Sequence, residues 1–92
     1  MRTIWKFQIR LTDGPQFILP PDPGAKLRFF AMQGGIPTVW VELEPEPQES
    51  MGHWPITVAL IGTGHPVPDG IWNYFGSTFD GPFVWHLYEA TA

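Results

Sequence analysis

Cysteine is missing from all 92 residues, which removes disulfides and thiolate metal sites as sources of stability or chemistry. Lysine and arginine are missing after position 28: Arg2, Lys6, Arg10, Lys26 and Arg28 are the whole basic complement, and seven of the nine acidic residues follow them. With a formal net charge of −4, the surface repels a long polyanion, so duplex nucleic acid is not an expected partner. A small anion or a two-signed protein surface remains compatible with the basic N-terminal segment. No apolar run approaches the roughly eighteen residues of a membrane-spanning helix, and Met1 to Phe7 lacks the apolar stretch of a secretory signal. The expected location is the cytoplasm, without membrane attachment. Helical periodicity is the last absence, since apolar residues do not recur at three- and four-residue spacing.

Aromatic residues are abundant instead. Five Trp, seven Phe and two Tyr accompany a composition that is 43% hydrophobic and only 15% charged, far from the signature of disorder. Large rings let a short chain bury useful area, at roughly 25 cal/mol per Å² of apolar surface. The length suits a single domain over residues 1–92. A domain this small gains further stability by assembling, so a homo-oligomer is expected.

Period-two alternation runs through the chain. Trp5, Phe7, Ile9 and Leu11 alternate with Lys6, Gln8 and Arg10. Asp13-Gly14 marks a tight turn into Phe17-Ile18-Leu19, after which Pro20, Pro21 and Pro23 break pairing. Over Ala25 to Met32, the side chains of Ala25, Leu27 and Phe29 are expected on one face, with Lys26 and Arg28 on the other. Gln33-Gly34-Gly35 turns the chain into a strand where Val39, Val41 and Leu43 oppose Thr38, Trp40, Glu42 and Glu44. The acidic stretch 44–52 reads as an exposed loop. Trp54, Ile56, Val58 and Leu60 line one face of the next strand, and the apolar Ala59 and Ile61 on its other face predict a central, doubly covered position. Trp72 to Phe79, the turn Asp80-Gly81, and Phe83 to Glu89 close the chain, with Phe83, Trp85 and Leu87 alternating with Val84, His86 and Tyr88. The expected fold is all-β: a single small antiparallel β-sandwich or barrel of about six to seven strands, joined mainly by hairpins.

No catalytic constellation stands out. His53, His65 and His86 match no compact ligand spacing, so neither a metal site nor a cofactor is expected. No serine lies in a Gly-x-Ser-x-Gly elbow. The protein is accordingly not expected to be an enzyme. The loop from Gly62 to Gly70 is the most distinctive segment. Its start, Gly62, Thr63, Gly64 and His65, offers flexible backbone whose N–H groups suit an anion, or else His65 ties down a shaped connection. Lys6 and Arg10 share the polar face of the first strand, and Arg28 shares a face of the third with Lys26. Were those strands neighbours, their charges would form one anion-binding surface; the favoured alternative is an ordinary solvated sheet face whose cations pair with Glu42 or Glu44 across strands. Trp40 and Tyr88 fall on faces opposite the core, where an aromatic stacks on a base, buries against a partner subunit or merely covers the sheet, and His86 lies between apolar neighbours on its strand, where a histidine is more often a hydrogen-bonded structural residue.

Four ordered motifs span nearly the whole chain: Met-x-x-Ile-Trp-Lys-Phe (residues 1–7), Gly-x-Pro-x-x-Trp (35–40), Gly-Thr-Gly-His-Pro-x-Pro (62–68) and Gly-x-Phe-Val-Trp-His-x-x-Glu (81–89). In this order they resemble a family of short bacteriophage and prophage proteins without an assigned activity. The resemblance implies a phage origin, a compact single domain and action in the host cytoplasm. It implies no reaction.

These readings combine into an expected function. The protein would be a phage accessory that binds a small anionic ligand, a cyclic nucleotide immune signal, and sequesters it uncleaved. Lys6, Arg10 and Arg28 would meet phosphate, Trp40 would stack a base, and Gly62, Thr63, Gly64, His65 and His86 would complete the pocket. The alternative is a protein-binding inhibitor that blocks a host defence or transcription component through the acidic surface of Glu42, Glu44, Glu46 and Glu49. A third option is a nucleotide-degrading enzyme with His65 or His86 as general acid or base.

Overall fold

The computed structural model describes residues 1–44 and 53–91, so Glu46, Glu49 and most of the acidic stretch lie outside the described residues. Among the described residues seven strands follow in order: β1 (Thr3–Gln8), β2 (Gly14–Ile18), β3 (Lys26–Gln33), β4 (Ile36–Leu43), β5 (Ile56–Gly62), β6 (Trp72–Asp80) and β7 (Phe83–Ala90). They form two antiparallel sheets, ordered β1-β4-β3 and β2-β5-β7-β6. The expected all-β sandwich is the fold. Its connections differ from expectation. Among the described strands only β3–β4 and β6–β7 are adjacent hairpins, whereas the chain changes sheet after β1, β2 and β4. A strand that is apolar on one face buries it best opposite another sheet, and successive strands here do so by crossing over.

The core lies between the sheets. Val39, Val41 and Leu43 of β4 cluster with Val58, Leu60 and Leu87 of the other sheet, joined by Ile9, Ile18, Leu27 and Phe30. Alternation along β4, β5 and β7 predicted the first six of these, because inward residues of a strand recur every second position. The β3–β4 turn is as tight as a hairpin can be, with Gln33 and Ile36 in register. Gly34 and Gly35 take φ of 59° and 79° there, and a turn with two left-handed central residues matches the twist of the strands it joins.

Alternation failed on β3 for a definite reason. The register slips between Leu27 and Phe29, so Arg28 is an extra residue and every later side chain changes face. Phe29, expected in the core with Leu27, is 58% exposed, and Phe30 is buried in its place. Lys26 and Arg28 keep their shared outward face, now with Phe29 beside them. On β1 the expected buried face is interrupted as well: Ile9 is buried and Phe7 packs against the core, while Trp5 and Leu11 are largely exposed. β1 is an edge strand and ends at Gln8, so its outer residues have no neighbour to cover them.

Two polar side chains secure the crossings. Gln16, only 8% exposed, accepts the Arg10 N–H at 2.7 Å and donates its amide to the Arg10 carbonyl at 2.9 Å. Buried Asp22 accepts the Gly24 N–H at 2.9 Å and the Glu44 N–H at 2.7 Å, tying the β2–β3 crossing to the end of β4.

Candidate functional site

Ser77 and Tyr74 are three residues apart on one strand, which would normally set them on opposite faces. A bulge at Phe75 changes this. Tyr74 pairs with Tyr88 and Gly76 with Leu87, so Phe75 is the extra residue; it packs against the core. Tyr74 and Ser77 then share the outer face of β6 beside His86 of β7, the register partner of Ser77.

A continuous hydrogen-bond chain results. The Tyr74 hydroxyl lies 2.6 Å from Ser77 Oγ, Ser77 Oγ 2.6 Å from His86 Nδ1, and His86 Nε2 2.8 Å from Thr63 Oγ1. Thr63 donates its hydroxyl to the Val84 carbonyl at 3.2 Å, so it accepts from His86 Nε2–H. Nδ1 meets the Ser77 hydroxyl, and Ser77 in turn meets the Tyr74 hydroxyl. Both ring nitrogens of His86 are thereby engaged by hydroxyls. No carboxylate is hydrogen-bonded to the ring among the described residues. The ring is oriented without the acid that would strengthen it as a base.

Thr63 also borders a groove of about 390 Å³, lined by Gly62, Thr63, His65, Pro82, Phe83, Val84 and Trp85. It opens where the β5–β6 loop meets the β6–β7 hairpin. Its walls are mainly apolar and aromatic; Thr63, His65 and loop backbone supply the polar part. Asp13 holds the loop from outside, accepting the Gly62 N–H at 2.8 Å on one oxygen and meeting His65 Nδ1 at 2.8 Å on the other. The His65 N–H returns to the Gly62 carbonyl at 3.0 Å. His65 thus does anchor the connection, one of the two roles the sequence left open.

Gly62 is a close-approach position. A Cβ there would lie 3.0 Å from His65 Nδ1 and 3.2 Å from its Cε1. Gly62→Ala is expected to push the ring off Asp13 and reshape the groove while the core persists. In NMR the His65 ring nitrogen signals should shift and the melting temperature fall by a few degrees. An unchanged His65 signal would show that the loop does not depend on this approach.

The remaining candidates from the sequence do not converge on this groove. Lys6, Arg28 and Trp40 lie on the outer face of the opposite sheet. There β4 separates β1 from β3, so the basic residues of those strands do not pool. Glu42 of β4 sits between them and binds Arg2 and Arg28, each at 2.8 Å. Lys6 donates to Gln33 Oε1 at 2.8 Å, and Trp40 packs against Phe29 with ring centroids 5.4 Å apart. Arg10 borders a separate recess with Gln8, Ile9, Pro15, Gln16 and Phe17. Gly62, Thr63, Gly64, His65 and His86 do gather at one end of the β5–β7 sheet. Of the acidic surface, Glu42 is engaged by arginines and Glu44 by the N-terminal amine at 3.0 Å. Among the described residues no group of three His, Asp or Glu assembles into a cation site.

Tyr74, Ser77 and Asp13 escaped the sequence reading. Gly76 was the available signal for the first two, since an isolated glycine inside a strand pattern often marks a bulge. Asp13 had none; it reaches the loop across 49 positions.

The carboxyl groups give the fold a pH dependence of definite sign. Asp13 is held below the usual carboxylate range by the Gly62 N–H and then by His65. Asp22 is held there by the Glu44 and Gly24 N–H groups, and Glu42 by Arg2 and Arg28. Their stabilisation is complete above the ordinary carboxylate pKa of about 4 and is lost as pH falls through the depressed folded values. Glu89 has the opposite sign: burial raises its pKa, so its ionised form weakens the fold and acid relieves it. With three groups against one, the melting temperature is expected to drop below about pH 4. Glu89→Gln should raise it slightly at neutral pH. A melting temperature flat from pH 6 to pH 3 would contradict the assignment.

The chain belongs to the family described as domain of unknown function DUF7352, whose profile matches residues 1–92. No curated protein and no solved structure matches it.

Proposed function

We propose that this member of the family acts by binding, taking a small nucleotide-like ligand into the groove beside Thr63 and holding it uncleaved. The observation that carries the reading is the groove itself: about 390 Å³, walled by Phe83, Val84 and Trp85, with Thr63, His65 and Gly62 backbone at its polar side. That volume lies in the range of small-molecule sites, which pair apolar walls with a few fixed polar groups. Aromatic walls suit a base, and ribose or phosphate oxygens would bind by exchanging with the bonds that Thr63 and Gly62 now make to Val84 and Asp13. Lys6 and Arg28 belong to the other sheet, so phosphate is met here by hydrogen bonding rather than by paired cations. The non-catalytic part of the reading is supported by His86, whose two ring nitrogens are both engaged by hydroxyls and which no carboxylate meets among the described residues. In a phage protein acting in the host cytoplasm, the ligand would be a cyclic nucleotide signal of host defence, and retention would keep it from its effector.

The test is a panel of cyclic and linear nucleotides, read by native mass spectrometry, with the ligand recovered after heat denaturation. Intact ligand from a stoichiometric complex supports sequestration, and altered ligand would replace it with catalysis. Thr63→Val and Phe83→Ala should each weaken binding at least several-fold, whereas Lys6→Ala and Arg28→Ala should leave it unchanged. The reverse pattern would move the site to the other sheet.

A further inference from the structure

Arg10 is a cation that the chain leaves uncommitted beside a cavity. Arg2 and Arg28 bind Glu42, and Lys6 donates to Gln33. Among the described residues the Arg10 guanidinium makes no ion pair or hydrogen bond; only the backbone of that residue is engaged. Lys26 is equally unpaired among the described residues but lines neither cavity.

The recess at Arg10 follows from the way β1 ends. Its ladder with β4 closes at Gln8 and Thr38, and the Ile9 N–H then reaches the Pro37 carbonyl at 2.9 Å. From there the chain crosses to β2, an edge strand of the other sheet. A recess of about 320 Å³ lies at this crossing, lined by Gln8, Ile9, Arg10, Pro15, Gln16 and Phe17. Arg10 is the one charged residue in that lining. Gln16 grips its N–H at 2.7 Å and its carbonyl at 2.9 Å, so an exposed cationic side chain is carried on a fixed backbone. Gln8 adds an exposed side-chain amide. Phe17, 62% exposed, joins Pro15 and the buried Ile9 on the apolar side.

We propose that this recess is a binding site for a small carboxylate with an apolar body. Arg10 forks onto the two carboxylate oxygens, the fit that a planar guanidinium provides. The body of the ligand packs against Phe17 and Pro15, where a ring gains aromatic contact as well as burial. The volume lies at the small end of the range for ligand sites, which limits that body to a single ring or a branched aliphatic chain. Charge selects a carboxylate over a phosphate monoester. Arg10 balances one negative charge, whereas a monoester carries about −1.5 to −2 at neutral pH, and no second cation lines the recess among the described residues. No acid lines it either, so nothing in the lining competes for the guanidinium. The recess shares no residue with the groove beside Thr63, and the inference does not rest on the nucleotide reading.

The test is an NMR titration of the isotope-labelled full chain with benzoate and with neutral benzamide. Benzoate should shift the Arg10 Nε–H and Gln8 side-chain amide signals saturably, in the millimolar range expected of so small a ligand. Benzamide has the same shape without the charge and should bind about tenfold or more weakly. Arg10→Met should weaken benzoate by a similar factor without lowering the melting temperature, because Gln16 holds only backbone atoms of residue 10. Phe17→Ala should weaken it several-fold, and Thr63→Val should leave it unchanged, which separates this site from the nucleotide groove. Equal affinity for benzoate and benzamide, measured on the wild-type chain, overturns the proposal. So does benzoate binding that survives Arg10→Met, or phenyl phosphate binding more tightly than benzoate.

Discussion

Truncating Leu60 to alanine is expected to lower stability by about 3–4 kcal/mol, the largest effect of any single substitution considered for this protein. Leu60 is fully buried on β5, the strand between β2 and β7. Its register partners are Gly14 on one side and Leu87 on the other. Gly14 has no side chain to move into the space, and Leu87 is itself fully buried. The cavity therefore stays open, which sets the cost near the upper part of the range for such truncations. A domain of this size has only about 5–10 kcal/mol in total. At 4–8 °C per kcal/mol the melting temperature should fall by roughly 12–32 °C. Urea unfolding of the variant measures it. A loss under about 1 kcal/mol, well below that range, would mean that β5 is not central.

Gln16→Leu, a change of similar volume, should cost about 2–3 kcal/mol although it adds apolar surface. The reason lies in where β1 ends. Its ladder with β4 closes with the Ile9 N–H on the Pro37 carbonyl at 2.9 Å, and the chain then leaves for the other sheet. Arg10 has no strand beside it, and the Gln16 amide supplies both the missing acceptor and the missing donor. Leucine can do neither, leaving a partly buried N–H and C=O without partners. Amide exchange at Arg10 should accelerate together with the loss of stability. An unchanged exchange rate would show that water replaces the side chain at no cost.

These two positions show how unevenly the molecule is written in its sequence. Leu60 was legible as core, and so were Val39, Val41, Val58 and Leu87. Alternation depends only on the pleat, and the pleat is local. The same holds for the Gly34-Gly35 turn and for the central place of β5, read from an apolar residue on its outward face. Phe29 was misassigned because a bulge shifts the register by one, and nothing around Arg28 marks it. The loop at Gly62 was identified as a site candidate, yet its hydroxyl neighbours were not.

What the sequence by itself determined is therefore an all-β domain and the inward residues of β4, β5 and β7. Only the tertiary structure decided which strands are neighbours. That decision separated Lys6 from Arg28 by placing Glu42 between them, and it brought Asp13, Ser77 and Tyr74 to the two histidines of the Gly62 end. Side-chain facing repeats every two residues and can be read along the chain. Strand order is set by which apolar faces bury one another best across the whole molecule, and no local pattern encodes it.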